Sequence, residues 1–160
     1  ATLKLGATTP SFDMEHPIDA TYPTAHITME TIEQVLKNFI GEIKQIPPAY
    51  SACKVDGKRA YKMMRKGEEV NLKEKTLRID EIEVISFDKD QMRLTLRVVC
   101  SKGTYIRALA RDIGVALNSG AYLVELCRTR VGNTKIENCI TLDGFQDWLD
   151  KQDIEVYQPA

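Results

Sequence analysis

Met92-Arg93-Leu94-Thr95-Leu96-Arg97-Val98-Val99-Cys100-Ser101-Lys102-Gly103-Thr104-Tyr105-Ile106-Arg107-Ala108-Leu109-Ala110-Arg111-Asp112-Ile113-Gly114 changes period in its middle. Up to Cys100 it alternates, with Met92, Leu94, Leu96, Val98 and Cys100 on one face, as a half-buried strand requires. From Ile106 the apolar residues fall at helical spacing: Ile106, Leu109, Ala110, Ile113 and Leu117. Lys102-Gly103-Thr104 separates the two patterns. Gly103 supplies turn freedom there, and Thr104 is the expected helix N-cap. Arg107 then falls in a first helical turn, where the positive end of the helix dipole disfavours a cation. It either faces a carboxylate or phosphate or is a solvated residue of an ordinary helix. Local spacing leaves both readings open.

Outward from this run the pattern is that of one α+β domain with a mixed, largely antiparallel sheet and flanking helices. Residues 76–87 and 92–100 read as strands joined by a turn at Asp88-Lys89-Asp90-Gln91, with a bulge near Val84-Ile85 where the alternation slips. Residues 1–6 read as a further strand. Residues 7–27 hold Pro10, Pro17 and Pro23 and form a long irregular connection, a common setting for functional residues. Thr28 is expected to cap a helix using Met29, Ile32, Leu36, Phe39, Ile40 and Ile43, ended by Pro47-Pro48. Tyr122–Val131 alternates as another strand, and Thr141 caps a last helix with Leu142, Phe145, Trp148 and Leu149.

The net charge is −1, but it is unevenly spread. Residues 53–66 carry Lys54, Lys58, Arg59, Lys62, Arg65 and Lys66 against Asp56 alone, whereas residues 1–33 and 141–160 are acidic. Lys54, Lys58, Lys62, Arg65 and Lys66 recur at three- and four-residue steps, with Tyr50 and Tyr61 interleaved, and Gly57 and Gly67 bracket a short helix. Such a basic face can follow a phosphate backbone while tyrosines stack on bases. A solvated surface helix has the same composition. Cys53, Cys100, Cys127 and Cys139 show no metal-ligand spacing and read as buried free thiols of a reducing compartment. His16 and His26 make a poor metal pair. No signal peptide or membrane-spanning run is visible, so the cytoplasm is expected. Ser51-Ala52-Cys53-Lys54 has the S-x-x-K form of penicillin-binding enzymes, but the companion motifs are missing.

Taken together, Pro47-Pro48-Ala49-Tyr50-Ser51-Ala52-Cys53-Lys54-Val55-Asp56-Gly57-Lys58-Arg59-Ala60-Tyr61 and Ser101-Lys102-Gly103-Thr104-Tyr105-Ile106-Arg107 resemble two motifs of the bacterial tRNA pseudouridine synthase B family. Their family forms are close to P-P-x-x-S-A-x-K-x-x-G-x-x-x-Y and S-x-G-T-Y-I-R. Leu5-Gly6-Ala7-Thr8-Thr9 with Asp13, and Leu126-Cys127-Arg128-Thr129-Arg130-Val131-Gly132, resemble two more in the same order. The resemblance covers residues 1 to about 149.

It implies isomerisation of a T-arm uridine (position 55) of tRNA to pseudouridine, with no metal or organic cofactor. The base must first leave the stack. Arg107 matches the arginine that pairs with the nucleophilic aspartate, and Tyr105, Leu126 and Asp13 match positions lining the flipped-base pocket. Residues 47–75 match an RNA-gripping thumb insertion, to which Lys54, Lys58, Tyr61 and Arg65 belong. Arg128 and Arg130 are expected phosphate contacts, with an ordinary exposed strand face as the alternative. The G-x-L-D-P-x-A-x-G motif that carries the nucleophile does not occur in residues 1–160. The expectation is therefore the C-terminal portion of a catalytic domain over 1–150, followed by a tail or extension over 151–160. Such a chain is inactive alone and needs the N-terminal part of the same domain. The expected partner is the tRNA T-arm stem-loop, no membrane is involved, and the protein acts as a monomer. A non-catalytic RNA-binding module is the alternative.

Overall fold

A computed structural model describes residues 1–152. In chain order it holds β1 (Thr2–Leu5), β2 (Ala7–Thr8), β3 (Ala20–Thr21), α1 (Met29–Lys37), β4 (Gly41–Gln45), β5 (Lys54–Val55), β6 (Lys58–Arg59) and α2 (Ala60–Arg65). There follow β7 (Lys75–Asp88), β8 (Arg93–Cys100), α3 (Ile106–Ala116), β9 (Ala121–Glu125), β10 (Arg130–Val131), β11 (Thr134–Lys135) and α4 (Phe145–Leu149). The chain divides into two compact units, the first Ala1–Leu126 and the second beginning at Cys127.

The first unit is built on a five-stranded sheet of order β4-β7-β8-β1-β9, in which every described pairing is antiparallel. The long β7–β8 hairpin carries a register shift between Val84 and Ser86, where the slipped alternation had pointed to a bulge. One face of the sheet presents Leu3, Leu5, Ile79, Leu94, Leu96 and Leu123 to Ile32 and Leu36 of α1 and to Leu109, Ala110 and Ile113 of α3. The other face is charged. Arg97 bridges Glu81 and Glu83, and Arg93 reaches Glu125. The hydrogen bond to Glu83, then that to Glu81, raises the Arg97 pKa above its ordinary value. An apolar face against helices and a polar face toward water is what antiparallel alternation produces.

Three expected elements take a different form. The helix after Thr28 forms and is capped as expected, with Thr28 and Thr31 exchanging side-chain bonds to each other's backbone N–H. It stops at Lys37, however, and Ile43 belongs to strand β4, paired with Leu77. Gly41, Ile43 and Gln45 alternate inward with Glu42 and Lys44 outward, so period two also fits the segment. The open edge of β7, with its row of backbone donors and acceptors, settles the competition. The strand expected over 122–131 ends at Glu125, and Leu126 is 56% exposed. Lys54 and Lys58 lie on the β5–β6 hairpin, not on a helical face shared with Lys62 and Arg65, because α2 begins only at Ala60.

The second unit contains the β10–β11 hairpin, a 3₁₀ turn over Ile136–Asn138 and α4. Thr141 does not cap α4. Its Oγ1 accepts the Gly144 N–H at 3.2 Å, and the helix starts one residue later. The thiols are less buried than expected: Cys53 and Cys100 are half-buried, Cys127 and Cys139 exposed. Among the described residues no helix is long and apolar enough to cross a membrane, and no group of three or more His, Cys, Asp or Glu is placed to hold a metal. Residues 153–160 of the expected tail lie outside the described residues.

Candidate active site

After β8 the chain turns through Ser101–Thr104, with Gly103 at a φ of 90° that only glycine adopts without strain. The Thr104 hydroxyl does not cap α3. It closes the turn on the Ser101 carbonyl at 2.9 Å, and Tyr105 occupies the N-cap position without a side-chain cap of its own. The backbone of Tyr105 is instead held by a buried side chain from β4. Gln45 Oε1 accepts the Tyr105 N–H at 2.9 Å, and Gln45 Nε2 donates to the Tyr105 carbonyl at 3.2 Å.

Arg107, in the first turn of α3, faces a carboxylate, one of the two readings that its position left open. Its Nη1 lies 3.3 Å from Asp13 Oδ2, with side-chain exposures of 21% and 27%. The same nitrogen donates to the Ser11 carbonyl at 3.0 Å, and Nη2 donates to the Tyr50 carbonyl at 2.9 Å. The guanidinium thus ties the loop after β2 to the segment before β5. Asp13 is itself fixed. Its Oδ1 accepts from the Ser11 hydroxyl at 2.5 Å and from the Glu15 N–H at 3.0 Å, while its carbonyl accepts from Thr9 Oγ1. Phe12, between these residues, has a φ of 57°, an uncommon conformation for an aromatic residue. Three contacts hold it there: its N–H donates to the Thr9 carbonyl, its carbonyl accepts the Leu123 N–H, and its ring lies 5.5 Å from the guanidinium carbon of Arg111. Arg111 also donates to the Ile46 carbonyl at 3.0 Å.

Beside Arg107 a cleft of ≈ 170 Å³ is lined by Glu15, Tyr50, Ser51, Ala52, Tyr61, Arg65 and Arg107. Arg65 lies 3.8 Å from Glu15 and 5.4 Å from the centre of the Tyr61 ring. The short helix α2 is anchored through its first residues, since Ala60 is buried and the Ala60 and Tyr61 N–H groups donate to Cys53 and Ser51. Sequence-derived candidates Arg107, Tyr61 and Arg65 therefore meet around one cleft, and Asp13 stands behind it on Arg107 without lining it. Tyr105 is half-buried at the start of α3, whereas Lys54 and Lys58 are exposed on the hairpin and do not line the cleft. Leu126 is exposed just beyond β9. Arg128 and Arg130 are exposed residues of the second unit, where Arg130 donates to the Gly132 carbonyl. Gln45, Arg111 and Glu15 escaped the sequence reading. A polar residue on the inward phase of an alternating segment was the available sign of Gln45.

Residues 1–106 match the family model described as "TruB family pseudouridylate synthase (N terminal domain)", and residues 107–158 match "tRNA pseudouridylate synthase B C-terminal domain". The tRNA pseudouridine synthase B of Phocaeicola vulgatus is 64% identical over 155 residues, which cover 97% of this chain and 65% of that protein. That of Mycobacterium bovis is 41% identical over 149 residues, covering 92% and 50%. The chain therefore spans less than two thirds of the length of these relatives. A chain of a Cbf5-Nop10-Gar1 complex superposes with a TM-score of 0.65 at 31% identity, covering 97% of this chain and 37% of that one. A chain of an H/ACA RNP bound to a substrate RNA containing 2'-deoxyuridine gives 0.56 at 27%, covering 93% and 35%. With the two family models matching residues 1–106 and 107–158 in succession and the arginine of the G-T-Y-I-R motif seated on the aspartate after L-G-x-x-T, the chain belongs to the TruB family of pseudouridylate synthases.

Proposed function

We propose that this chain forms part of the active site and the RNA grip of an isomerase that converts uridine 55 in the T arm of tRNA to pseudouridine. The observation that carries the reading is Arg107, immobilised by Ser11, Asp13 and Tyr50 on the wall of a cleft shared with Tyr61 and Arg65. The relatives named for tRNA support the choice of substrate. The reaction breaks the C1′–N1 bond and forms a C1′–C5 bond. C5 loses its proton and N1 regains one, so the product is an isomer and no oxidant or reductant is consumed. A guanidinium has five N–H donors, of which the Ser11 and Tyr50 carbonyls engage two while Asp13 pairs with its charge at 3.3 Å. The remainder are available to a second carboxylate, the nucleophilic aspartate of the G-x-L-D-P-x-A-x-G motif, which lies outside residues 1–160.

In this reading residues 1–150 are the C-terminal portion of the catalytic domain. Tyr105, Leu126 and Asp13 border the flipped base. The 47–75 segment grips the T arm through Lys54, Lys58, Tyr61 and Arg65, Arg128 and Arg130 meet phosphates, and the protein works as a cytoplasmic monomer. The test is release of tritium from tRNA labelled at uridine C5. The complete protein should release it, and residues 1–160 alone should bind a T-arm stem-loop without releasing any. Turnover by residues 1–160 would place the nucleophile inside them, and a complete protein that binds without turnover would be an RNA-binding module.

A further inference from the structure

Gln45 ends β4 with 1% of its surface exposed, on the inward phase of the strand. A primary amide in that position is costly unless both its donor and its acceptor are used. Here both are used by a single residue. Oε1 accepts the Tyr105 N–H at 2.9 Å, and Nε2 donates to the Tyr105 carbonyl at 3.2 Å. Two bonds exchanged with one residue reproduce the hydrogen-bonded pair of an antiparallel ladder, with a side-chain amide standing in for the neighbouring strand. The Tyr105 carbonyl also accepts the Leu109 N–H, the first hydrogen bond of α3. Gln45 therefore grips the residue at which α3 begins, and that residue has no side-chain cap.

A second contact ties the same segment to the same helix. Arg111, one turn beyond Arg107, donates to the carbonyl of Ile46, the neighbour of Gln45. Arg107 reaches the Tyr50 carbonyl a few residues further along. The chain from 45 to 50 is thus fastened to the start of α3 at three points, and the innermost is the buried amide. Tyr105 has a φ of −95° and a ψ of 109°, extended values at the junction of turn and helix. Holding both of its peptide groups fixes where its own ring projects and where the helix places Arg107 two residues later.

We propose that Gln45 is a positioning residue of the isomerase, acting through the backbone of Tyr105 to set Tyr105 and Arg107 in reacting geometry. The inference rests on the isomerase reading above. A hydrophobic side chain of equal length fills the space but leaves the Tyr105 N–H without its acceptor. A glutamate keeps the acceptor but sets a second oxygen against the Tyr105 carbonyl.

Gln45→Met and Gln45→Glu are introduced into the complete protein and assayed below their melting temperatures. Single-turnover pseudouridine formation at saturating tRNA should fall by about 10- to 100-fold, the scale of a displacement of order 1 Å at a reacting group. The dissociation constant for tRNA should stay within about twofold, since Gln45 touches no exposed surface. A folded Gln45→Met protein with the wild-type single-turnover rate overturns the proposal, as does a loss confined to tRNA affinity. Amide hydrogen exchange at Tyr105 in the unsubstituted protein tests the grip without catalysis. The amide should be protected like those inside α3, and free exchange there overturns the proposal even if neither variant folds. An inactive unsubstituted protein with a protected Tyr105 amide refutes the isomerase reading, not the grip.

Discussion

Asp13→Asn isolates the charge that faces Arg107. The asparagine carbonyl oxygen still accepts from the Ser11 hydroxyl and the Glu15 N–H, the two partners of Asp13 Oδ1. Its NH2 group replaces Oδ2 and cannot accept from the guanidinium. At the 3.3 Å separation of the pair and an effective dielectric of about 20, the lost attraction is about 5 kcal/mol. With 21% and 27% of the two side chains exposed, water restores part of it, and the desolvation of both ions offsets more. A net loss of about 1–3 kcal/mol remains, between the value for exposed pairs and that for fully buried ones. For a chain of 160 residues a loss of about 2 kcal/mol lowers Tm by about 4–8 °C. The assay is a double-mutant cycle of Asp13→Asn with Arg107→Met, followed by thermal and urea unfolding. Asp13→Asn should cost little in the Arg107→Met background, giving a coupling of about 1–2 kcal/mol. If the two losses add to within about 0.3 kcal/mol, the Asp13–Arg107 contact contributes nothing and the account of how Arg107 is held is wrong.

Arg107→Ala in the complete protein should reduce single-turnover chemistry far more than tRNA affinity; reduced affinity with unchanged chemistry would make Arg107 a phosphate contact. Lys54→Ala with Lys58→Ala, both exposed on the β5–β6 hairpin, should weaken tRNA binding and flatten the log–log salt dependence by roughly two units. A titration with wild-type slope would reduce that hairpin to ordinary solvated surface. Gly114→Ala sets a methyl 2.4 Å from the Ala121 backbone nitrogen and 2.6 Å from the Gly120 carbonyl carbon, so α3 and β9 must separate. The expected cost is about 1–3 kcal/mol in urea unfolding, and an unchanged midpoint would contradict the close approach.

Local pattern carried much of the fold. The alternation of residues 92–100, the break at Gly103 and the 3.6-residue spacing from Ile106 are set by neighbours in the chain, and β8 and α3 follow them. The bulge at Val84–Ser86 was readable for the same reason, because a slipped alternation has to be absorbed where it occurs. The misread segments are those where two periods fit. Phe39, Ile40 and Ile43 suit a helix as well as Ile43 suits a strand, and only the unpaired edge of β7 favours the strand. The run 122–131 alternates throughout, yet pairing with β1 reaches only Glu125, and Arg130–Val131 pair instead with Thr134–Lys135 in a separate hairpin.

The motifs named the chemistry, but whether the first-turn arginine met an anion or water, and which anion, was a matter of tertiary structure. Arg107 meets Ser11 and Asp13 from the opposite end of the chain because β1 lies beside β8 and β9, which brings the loop after β2 over the start of α3. Gln45 meets Tyr105 across 60 residues because β4 joins the edge of β7. Residue type and period are properties of a few neighbouring positions, so the sequence by itself determined the β7–β8 hairpin, the start of α1, α3 and the family. The partners of a buried charge or amide depend on which strands lie side by side, and only the assembled sheet decided them.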